Sequence, residues 1–127
     1  VVDPTGTILE KPADDDDAAA MLASLAGKDH FVYTGVALFS PSGRQRVFWE
    51  RTTVSFSPLE PDTIRAYVDT GEPRDKAGAY GIQGYAGAFV EKIDGCYYNV
   101  MGLPMNRLAR ELRAFLSDDD SAAASGS

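Results

Sequence analysis

Two stretches near the middle of the chain predict neighbouring β-strands. Residues 31–39 are almost continuously apolar and rich in β-branched and aromatic side chains, which is typical of a strand covered on both faces. Residues 47–56 alternate apolar and polar positions, which favours a second strand. The Ser-Pro-Ser-Gly segment at 40–43 has the composition of a turn. We therefore expect two strands joined by this turn.

Helical spacing of apolar residues recurs in three places. A first helix is predicted to begin in the acidic run at 14–17, where carboxylates favour the positive end of the helix dipole, and to stop at Gly27. Asp62 can cap a short second helix that ends at Gly71. A third helix is predicted from near Pro104. Its apolar stripe consists of Met105, Leu108, Leu112 and Phe115.

The first residues are predicted to form a hairpin around a type I turn at 3–6, which carries Asp, Pro and Gly at favoured positions. Counting outward from this turn places Val2 opposite Thr7 and Val1 opposite Ile8. An arm of two residues does not make a stable edge. We therefore expect the first strand to be truncated.

The remaining segments are predicted to be loops and short strands. Residues 71–87 are rich in glycine and only weakly periodic, which indicates a long functional loop. Short strands are expected at 88–90 and 97–100. The order of elements predicts a single mixed α/β domain over residues 1–116. Residues 117–127 are polar and rich in Ala and Ser, so a disordered polar tail is expected there.

The amino-acid composition limits the kinds of functional site and partner that this chain can have. Cys96 is the only cysteine, which excludes an internal disulfide and favours a reducing compartment. His30 is the only histidine, so a zinc site or a Ser/His triad has almost nothing to be built from. The net charge of −7 comes from two acidic runs that hold seven of the 19 acidic residues, and the other 12 balance the 12 basic ones. This charge argues against nucleic acid as a partner, and no apolar run approaches the ~20 residues of a membrane span.

Two segments are candidates for ligand binding. Lys11 follows an extended stretch and could present a cationic head to an anionic ligand, although an ordinary exposed lysine is the commoner role. The glycine-rich segment 71–84 lets backbone N–H groups converge on anionic oxygens. It also carries Asp75, Lys76 and Gln83, and the last offers a donor and an acceptor to a base edge. A flexible connector is the alternative interpretation of this segment.

A third segment, residues 99–106, is predicted to be structural. Asn99 is placed to brace a loop, and residues 102–104 form a turn into the C-terminal helix. Tyr97 and Tyr98 are interpreted as packing or rim residues rather than catalysts.

Together, five stretches resemble the Maf family of nucleoside triphosphate pyrophosphatases, which have also been described as septum-formation inhibitors. The run GEPRDKAGAYGIQG followed by NVMGLP is highly specific. The matching stretches are ILEKP (8–12), MLASLAGKDHFVYTGVAL (21–38), VSFSPL (54–59), YVDTGEPRDKAGAYGIQG (67–84) and YYNVMGLPMNRL (97–108). The resemblance implies an ITPase-like α/β fold with a curved mixed sheet, flanking helices and two lobes around a nucleotide cleft.

The resemblance also implies an activity. It is hydrolysis of a nucleoside triphosphate to monophosphate and pyrophosphate, with a divalent metal, Mg²⁺ or Mn²⁺. The family counterpart of Lys11 contacts the triphosphate. The counterpart of Gln83 reads the base, and a glutamine there is similar to members that prefer dTTP and UTP. Lys76 and Asp75 are further candidates for substrate binding.

Part of the family pattern is absent from this chain. The Ser-x-Ser-Pro-Arg-Arg segment, a glutamate and a lysine near the cleft, and an Ala-Asp-Thr stretch do not occur. The aspartate that serves as proton acceptor in the family would stand two positions before Val1. We therefore expect neither a catalytic residue nor a metal ligand within these residues.

Two interpretations from different functional classes stay open. The chain is either part of a dTTP/UTP pyrophosphatase, inactive by itself, or a protein that binds a nucleotide or a partner without catalysis, with a role in division. In both cases we expect a nucleoside triphosphate ligand, a homodimer, a cytoplasmic location, and no nucleic-acid or membrane partner.

Overall fold

The computed structural model describes the backbone of residues 1–125 and the side chains of residues 1–117. This part of the chain contains both helices and strands, which confirms the mixed α/β class. Three short 3₁₀ segments, Glu72–Asp75, Ala77–Ala79 and Tyr85–Phe89, lie between the second helix and the third strand. The helices and strands are α1 (Asp15–Leu25), β1 (Asp29–Phe39), β2 (Gln45–Phe56), α2 (Pro61–Asp69), β3 (Val90–Asp94), α3 (Tyr97–Met101) and α4 (Met105–Ser125).

The strands form an antiparallel sheet in the order β1-β2-β3. β1 and β2 pair along their whole length, from Asp29 opposite Ser55 to Phe39 opposite Gln45, so the predicted pair of strands is confirmed. β3 pairs only with the end of β2, over residues 53–56, where a bulge interrupts the register. The rest of β2 therefore has β1 as its only neighbour within the sheet.

The N-terminal turn is one residue longer than predicted. Val2 pairs with Ile8, whereas the sequence count placed Thr7 there. The reason is the Asp3 carboxylate, which accepts hydrogen bonds from the backbone N–H groups of Thr5 and Thr7, each at 2.9 Å. The N–H of Asp3 also donates to the carbonyl of Thr7, and this closes a five-residue turn. Val2 also bridges to Phe31, which attaches the N-terminal segment to β1.

The core lies between one face of the sheet and helices α1 and α2. Leu22 and Leu25 from α1 and Val54 from β2 are fully buried, and Phe56 and Val68 are nearly so. Burying side chains of this size contributes about 1.5–3 kcal/mol each before entropy is subtracted. This packing holds α2 and the loop that follows it against the sheet.

Three local predictions were wrong. The strand expected at 88–90 begins only at Val90 and continues to Asp94, and residues 85–89 form a 3₁₀ segment. Residues 97–100 form helix α3 rather than a strand, because Asn99 turns its amide onto the sheet and Gly102, at φ 124°, ends the turn. The α2 helix has Glu60 at its N-cap and Pro61 in its first turn, so Asp62 lies inside the helix instead of capping it. Proline favours this position because its missing N–H costs nothing in a first turn.

The C-terminal helix is longer than the sequence indicated. A disordered tail was expected from Ser117, whereas α4 continues to Ser125, and residues 126 and 127 lie outside the described part of the chain. Near its start, α4 is tied to β2 by Glu111, which pairs with Arg46 at 2.6 Å and with Arg107 at 2.9 Å. The division into a domain at 1–116 and a tail stays a prediction.

Candidate functional site

A cavity of about 570 Å³ opens where β1, the glycine-rich loop and α3 meet. Residues 32–34 of β1 form one wall, and residues 99–102 form another. The third wall is the loop after α2, which contributes Glu72, Lys76 and Gln83. A cavity of this size falls within the usual range for small-molecule sites.

Two of the four predicted binding residues line this cavity. The Lys76 ammonium donates to the backbone carbonyl of Glu72 at 3.3 Å and to the Asp75 carboxylate at 3.1 Å. Gln83 is exposed at the mouth, on the stretch between two glycines. The wall therefore carries one cation and one amide, which suit an anionic group and a base edge respectively.

Lys11 and Asp75 do not line the cavity but lie beside it. Hydrogen bonding and charge from Lys76 lower the pKa of the Asp75 carboxyl, and Lys11 contributes to the same shift through its charge. Lys11 is therefore near Asp75, and its side chain is exposed. The backbone explains this proximity, because the carbonyl of Glu10 accepts a hydrogen bond from the N–H of Gly78 at 3.2 Å. This bond joins the Lys11 segment to the glycine-rich loop.

The loop has an unusual backbone where it meets the N-terminal segment. Gly78 and Ala79 are both left-handed, with φ 73° and φ 67°. Ala79 is fully buried, and a Cβ on Gly78 would come within 2.9 Å of the Val1 side chain. A left-handed alanine costs about 1–2 kcal/mol, and such local strain often marks functional segments.

The sequence interpretation missed the residues that support the loop. The Tyr67 hydroxyl, on α2, donates to the Glu72 carboxylate at 2.9 Å and accepts from the N–H of Gly81 at 3.3 Å. Burial is the main cause that raises the Tyr67 pKa, so this hydroxyl stays protonated. A tyrosine on the apolar face of a helix gave no signal in the sequence of a hydrogen bond to a loop.

His30 and Tyr80 form a second support under the loop. The Nε2 of His30 lies 2.6 Å from the Tyr80 hydroxyl, and both rings pack edge-on against Phe56. Burial, aided by the nearby N-terminal ammonium, lowers the pKa of His30 to about 4. The imidazole is therefore neutral near pH 7 and serves packing rather than metal or proton chemistry.

Asn99, which was predicted to brace a loop, braces the wall formed by helix α3. Its Nδ2 donates to the carbonyl of Val32 at 2.9 Å and to the Thr52 hydroxyl at 3.1 Å, and it lies 3.3 Å from the carbonyl of Glu50. The amide group of Asn99 thus contacts both β1 and β2. It fixes α3 over the sheet at the edge of the cavity.

Among the described residues there is neither a cluster of metal-ligating side chains nor a helix that could span a membrane. Across them, no group of three or more His, Cys, Asp or Glu side chains is placed to hold a metal ion. None of the helices in the same part of the chain is long and apolar enough to cross a bilayer. The divalent metal implied by the family resemblance thus has no matching cluster of side chains among the described residues.

Comparison with known proteins agrees with the specific runs in the sequence. A relative from Clostridium perfringens, named dTTP/UTP pyrophosphatase, is 53% identical over 116 residues. The alignment covers 91% of this chain and 60% of the relative. A protein of the same name from Carboxydothermus hydrogenoformans is 54% identical over 114 residues, which are 89% of this chain and 61% of that protein.

The chain thus spans about 60% of the length of the curated relatives it matches. The profile of the family described as Maf-like protein matches residues 1–115. These residues include β1, the glycine-rich loop and α3, which together line the cavity. The chain therefore belongs to the Maf-like protein family.

Proposed function

We propose that these residues form the base-reading and phosphate-contacting side of a nucleoside triphosphate pyrophosphatase that acts on dTTP and UTP. The observation that carries this proposal is the placement of Lys76 and Gln83 on one wall of one cavity. Membership of the family and the names of the relatives support the reaction class. The products would be a nucleoside monophosphate and pyrophosphate, as in removal of unwanted nucleotides from the pool.

Each residue of the site contributes to binding rather than to bond breaking. Gln83 can pair with the carbonyl and the N3–H of a uracil or thymine ring, whereas cytosine presents the opposite order of donor and acceptor. Lys76 and Lys11 supply positive charge for the phosphates, and the Asp75 carboxylate holds the Lys76 head in place. Such contacts orient the triphosphate before any chemical step.

The 127-residue chain by itself is proposed to be inactive. Glu72 is the one acid among the described residues that line the cavity, and its two oxygens already accept hydrogen bonds from Tyr67 and from the N–H of Tyr85. A carboxylate held in this way is poorly placed to take a proton from water. The divalent metal, Mg²⁺ or Mn²⁺, stays a prediction from the family resemblance.

A binding and turnover experiment tests this function. Affinities of the chain for UTP, dTTP and CTP are measured by calorimetry, and pyrophosphate release is followed with and without Mg²⁺. We expect UTP and dTTP to bind more tightly than CTP, without turnover. Gln83→Glu should remove this preference, because an unmatched polar pair costs about 1–3 kcal/mol. Equal affinity of the parent chain for all three nucleotides would contradict the base assignment.

A binding role without catalysis in any longer form is the second candidate. The already engaged Glu72 favours it, since the described cavity offers no free acid. Joining the preceding segment of a relative to this chain distinguishes the two. Pyrophosphate release by the joined protein supports the enzyme, and tight binding without release supports the alternative. The homodimer and the cytoplasmic location remain predictions from the sequence.

A further inference from the structure

The Glu72 carboxylate, on a half-buried residue, is hydrogen-bonded to groups on both sides of the glycine-rich loop. Oε1 accepts the hydrogen bond from the Tyr67 hydroxyl at 2.9 Å, and Oε2 accepts from the N–H of Tyr85 at 3.3 Å. The same hydroxyl of Tyr67 accepts from the N–H of Gly81 at 3.3 Å. Glu72 and Tyr67 are thus bonded to both ends of the stretch 81–85.

The glycine at position 84 admits this carboxylate. A Cβ built on Gly84 would overlap the Glu72 carboxylate, although the backbone there, at φ −94°, suits any residue. A side chain at position 84 would therefore displace the Glu72 carboxylate from its present position. Gly81 shows the same relation to a neighbouring side chain, because its Cβ would lie 2.5 Å from the Cε of Lys76.

Gln83 lies between these two anchored positions. Its own side chain is exposed at the cavity mouth, and no hydrogen bond of its side chain is described within residues 1–117. The position from which its side chain reaches into the cavity is therefore set by the backbone at 81–85. That backbone is held by Tyr67, on the buried face of α2, through Glu72.

We propose that Glu72 and Tyr67 are positioning residues that hold the 81–85 segment in the conformation from which Gln83 selects the base, and that Gly84 is required to admit the Glu72 carboxylate. The inference rests on the proposed function, because it assigns base selection to Gln83. Tyr67 does not line the cavity, and Glu72, which does, is proposed to act through the 81–85 segment.

The first test asks whether Glu72 and Gly84 act through one contact. Glu72→Ala, Gly84→Ala and the double variant are compared with the parent chain by thermal unfolding, followed by circular dichroism. The carboxylate is the end of a flexible side chain, so alanine at 84 should displace it and break the same hydrogen bonds that Glu72→Ala removes. We expect each single variant to lower Tm by about 4 °C or more, and the double variant to lower it no further.

Matched controls are available in the same chain. Gly35 has no heavy atom within 4 Å of its Cβ position, so Gly35→Ala should leave Tm unchanged apart from a small general effect. Glu91 is exposed on β3, and Glu91→Gln controls for the loss of one negative charge. Additive losses from Glu72→Ala and Gly84→Ala would overturn the shared contact.

The second test measures positioning, which a merely structural role would not affect. The ratio of UTP to CTP affinity is measured for Tyr67→Phe, Glu72→Gln and Gly84→Ala, with Tyr97→Phe as the control for an exposed hydroxyl. We expect the ratio of UTP to CTP affinity to fall at least about fivefold in the three variants, because the free-energy cost of an unpaired polar contact is large enough for such a change. The variants should still unfold cooperatively. The control should keep the full ratio.

The outcomes separate this inference from the proposed function. If the parent prefers UTP and the three variants keep its ratio, the positioning role is wrong. If the parent shows no preference, base selection by Gln83 is wrong and the positioning role falls with it. A non-additive Tm result in that case shows that the contact exists and that the failure lies in the function.

Discussion

Asn99 shows how one side chain can hold two elements together. Its Nδ2 donates to acceptors on both β1 and β2, and the residue, which belongs to α3, is completely buried. Asparagine is therefore suited to this position by its N–H groups, since the carbonyls of Val32 and Glu50 and the Thr52 hydroxyl can all accept from its Nδ2. The sequence could suggest a bracing role for Asn99 but not these acceptors, because they lie more than 40 residues away.

Asn99→Asp should be strongly destabilising. The substitution replaces the donor by an oxygen that faces the carbonyl of Val32, and it leaves buried acceptors unpaired. We expect a loss of about 2–4 kcal/mol in the free energy of unfolding, measured by urea titration. Asn106→Asp is the matched control, because Asn106 is exposed and uses its oxygen to accept from Arg110. Similar stability of both variants would contradict the assigned role of Asn99.

The predicted role of Lys11 also depends on a single side chain, because it is the contact of one ammonium group with the triphosphate. We expect Lys11→Ala to weaken UTP binding about tenfold and to leave UMP binding unchanged, since a charge-assisted contact to phosphate is worth about 1.5–3 kcal/mol. Lys28→Ala, at an exposed position after α1, serves as the control. An equal loss for UTP and UMP would place Lys11 away from the outer phosphates.

Helix starts show which local signals were sufficient at the scale of elements. The N-cap of α1 is Asp14, whose carboxylate accepts from the N–H of Asp17 at 2.7 Å. Asp17 reciprocates by accepting from the N–H of Ala13 at 2.8 Å. The acidic run was thus correctly interpreted as a helix start, because the signals are local. The prediction of a cap at Asp62 was wrong, because α2 already begins at Pro61 and Asp62 lies inside the helix.

Asp14→Ala should destabilise the chain more than Asp62→Ala. Removal of a capping side chain costs about 0.5–2 kcal/mol, whereas Asp62 contributes only its charge near the positive end of the α2 dipole. We expect the difference to appear in the midpoint of urea unfolding. Equal shifts would mean that the capping bond of Asp14 adds nothing beyond its charge.

The other failures at this scale have one physical cause. The β-propensity of residues 97–100 favours a strand. They form α3 instead, because the Asn99 amide donates a hydrogen bond to the sheet at the Val32 carbonyl. The loop at 71–87 was recognised from its glycines, but its supports, Tyr67 and Glu72, act across a fold that the sequence does not display. Tertiary contacts overrode local propensity in both cases.

At the scale of the whole molecule, His30 couples stability to pH. It contacts Tyr80 of the loop and Phe56 of β2, and its own strand carries the bridge to the N-terminal segment. The pKa of His30 is about 4 in the folded chain against an ordinary value of 6.5. The unfolded chain therefore binds a proton in this window that the folded chain does not, and stability falls as the pH is lowered.

We expect the free energy of unfolding to fall by about 3 kcal/mol between pH 7 and pH 4 through His30 alone. The carboxyls of Asp3, Asp75 and Glu111 also have lowered pKa values and act in the same direction, but only below their ordinary values of 3.8 to 4.5. Urea titrations at several pH values measure the slope. His30 is the only histidine, so its ring protons in an NMR titration report the folded pKa directly. A midpoint near 6.5 would refute the coupling.

The face of β1 and β2 that is exposed to solvent, opposite the core, determines the tryptophan fluorescence of this protein. Trp49, the only tryptophan, lies on that face with 63% of its surface exposed, and the Tyr33 ring is 5.9 Å away. Its emission in the folded chain should already be close to that of tryptophan in water, so unfolding should shift the spectrum little. A shift to shorter wavelength on raising the protein concentration would instead report that this face has become covered. Iodide, which quenches only accessible indoles, would then lose its effect.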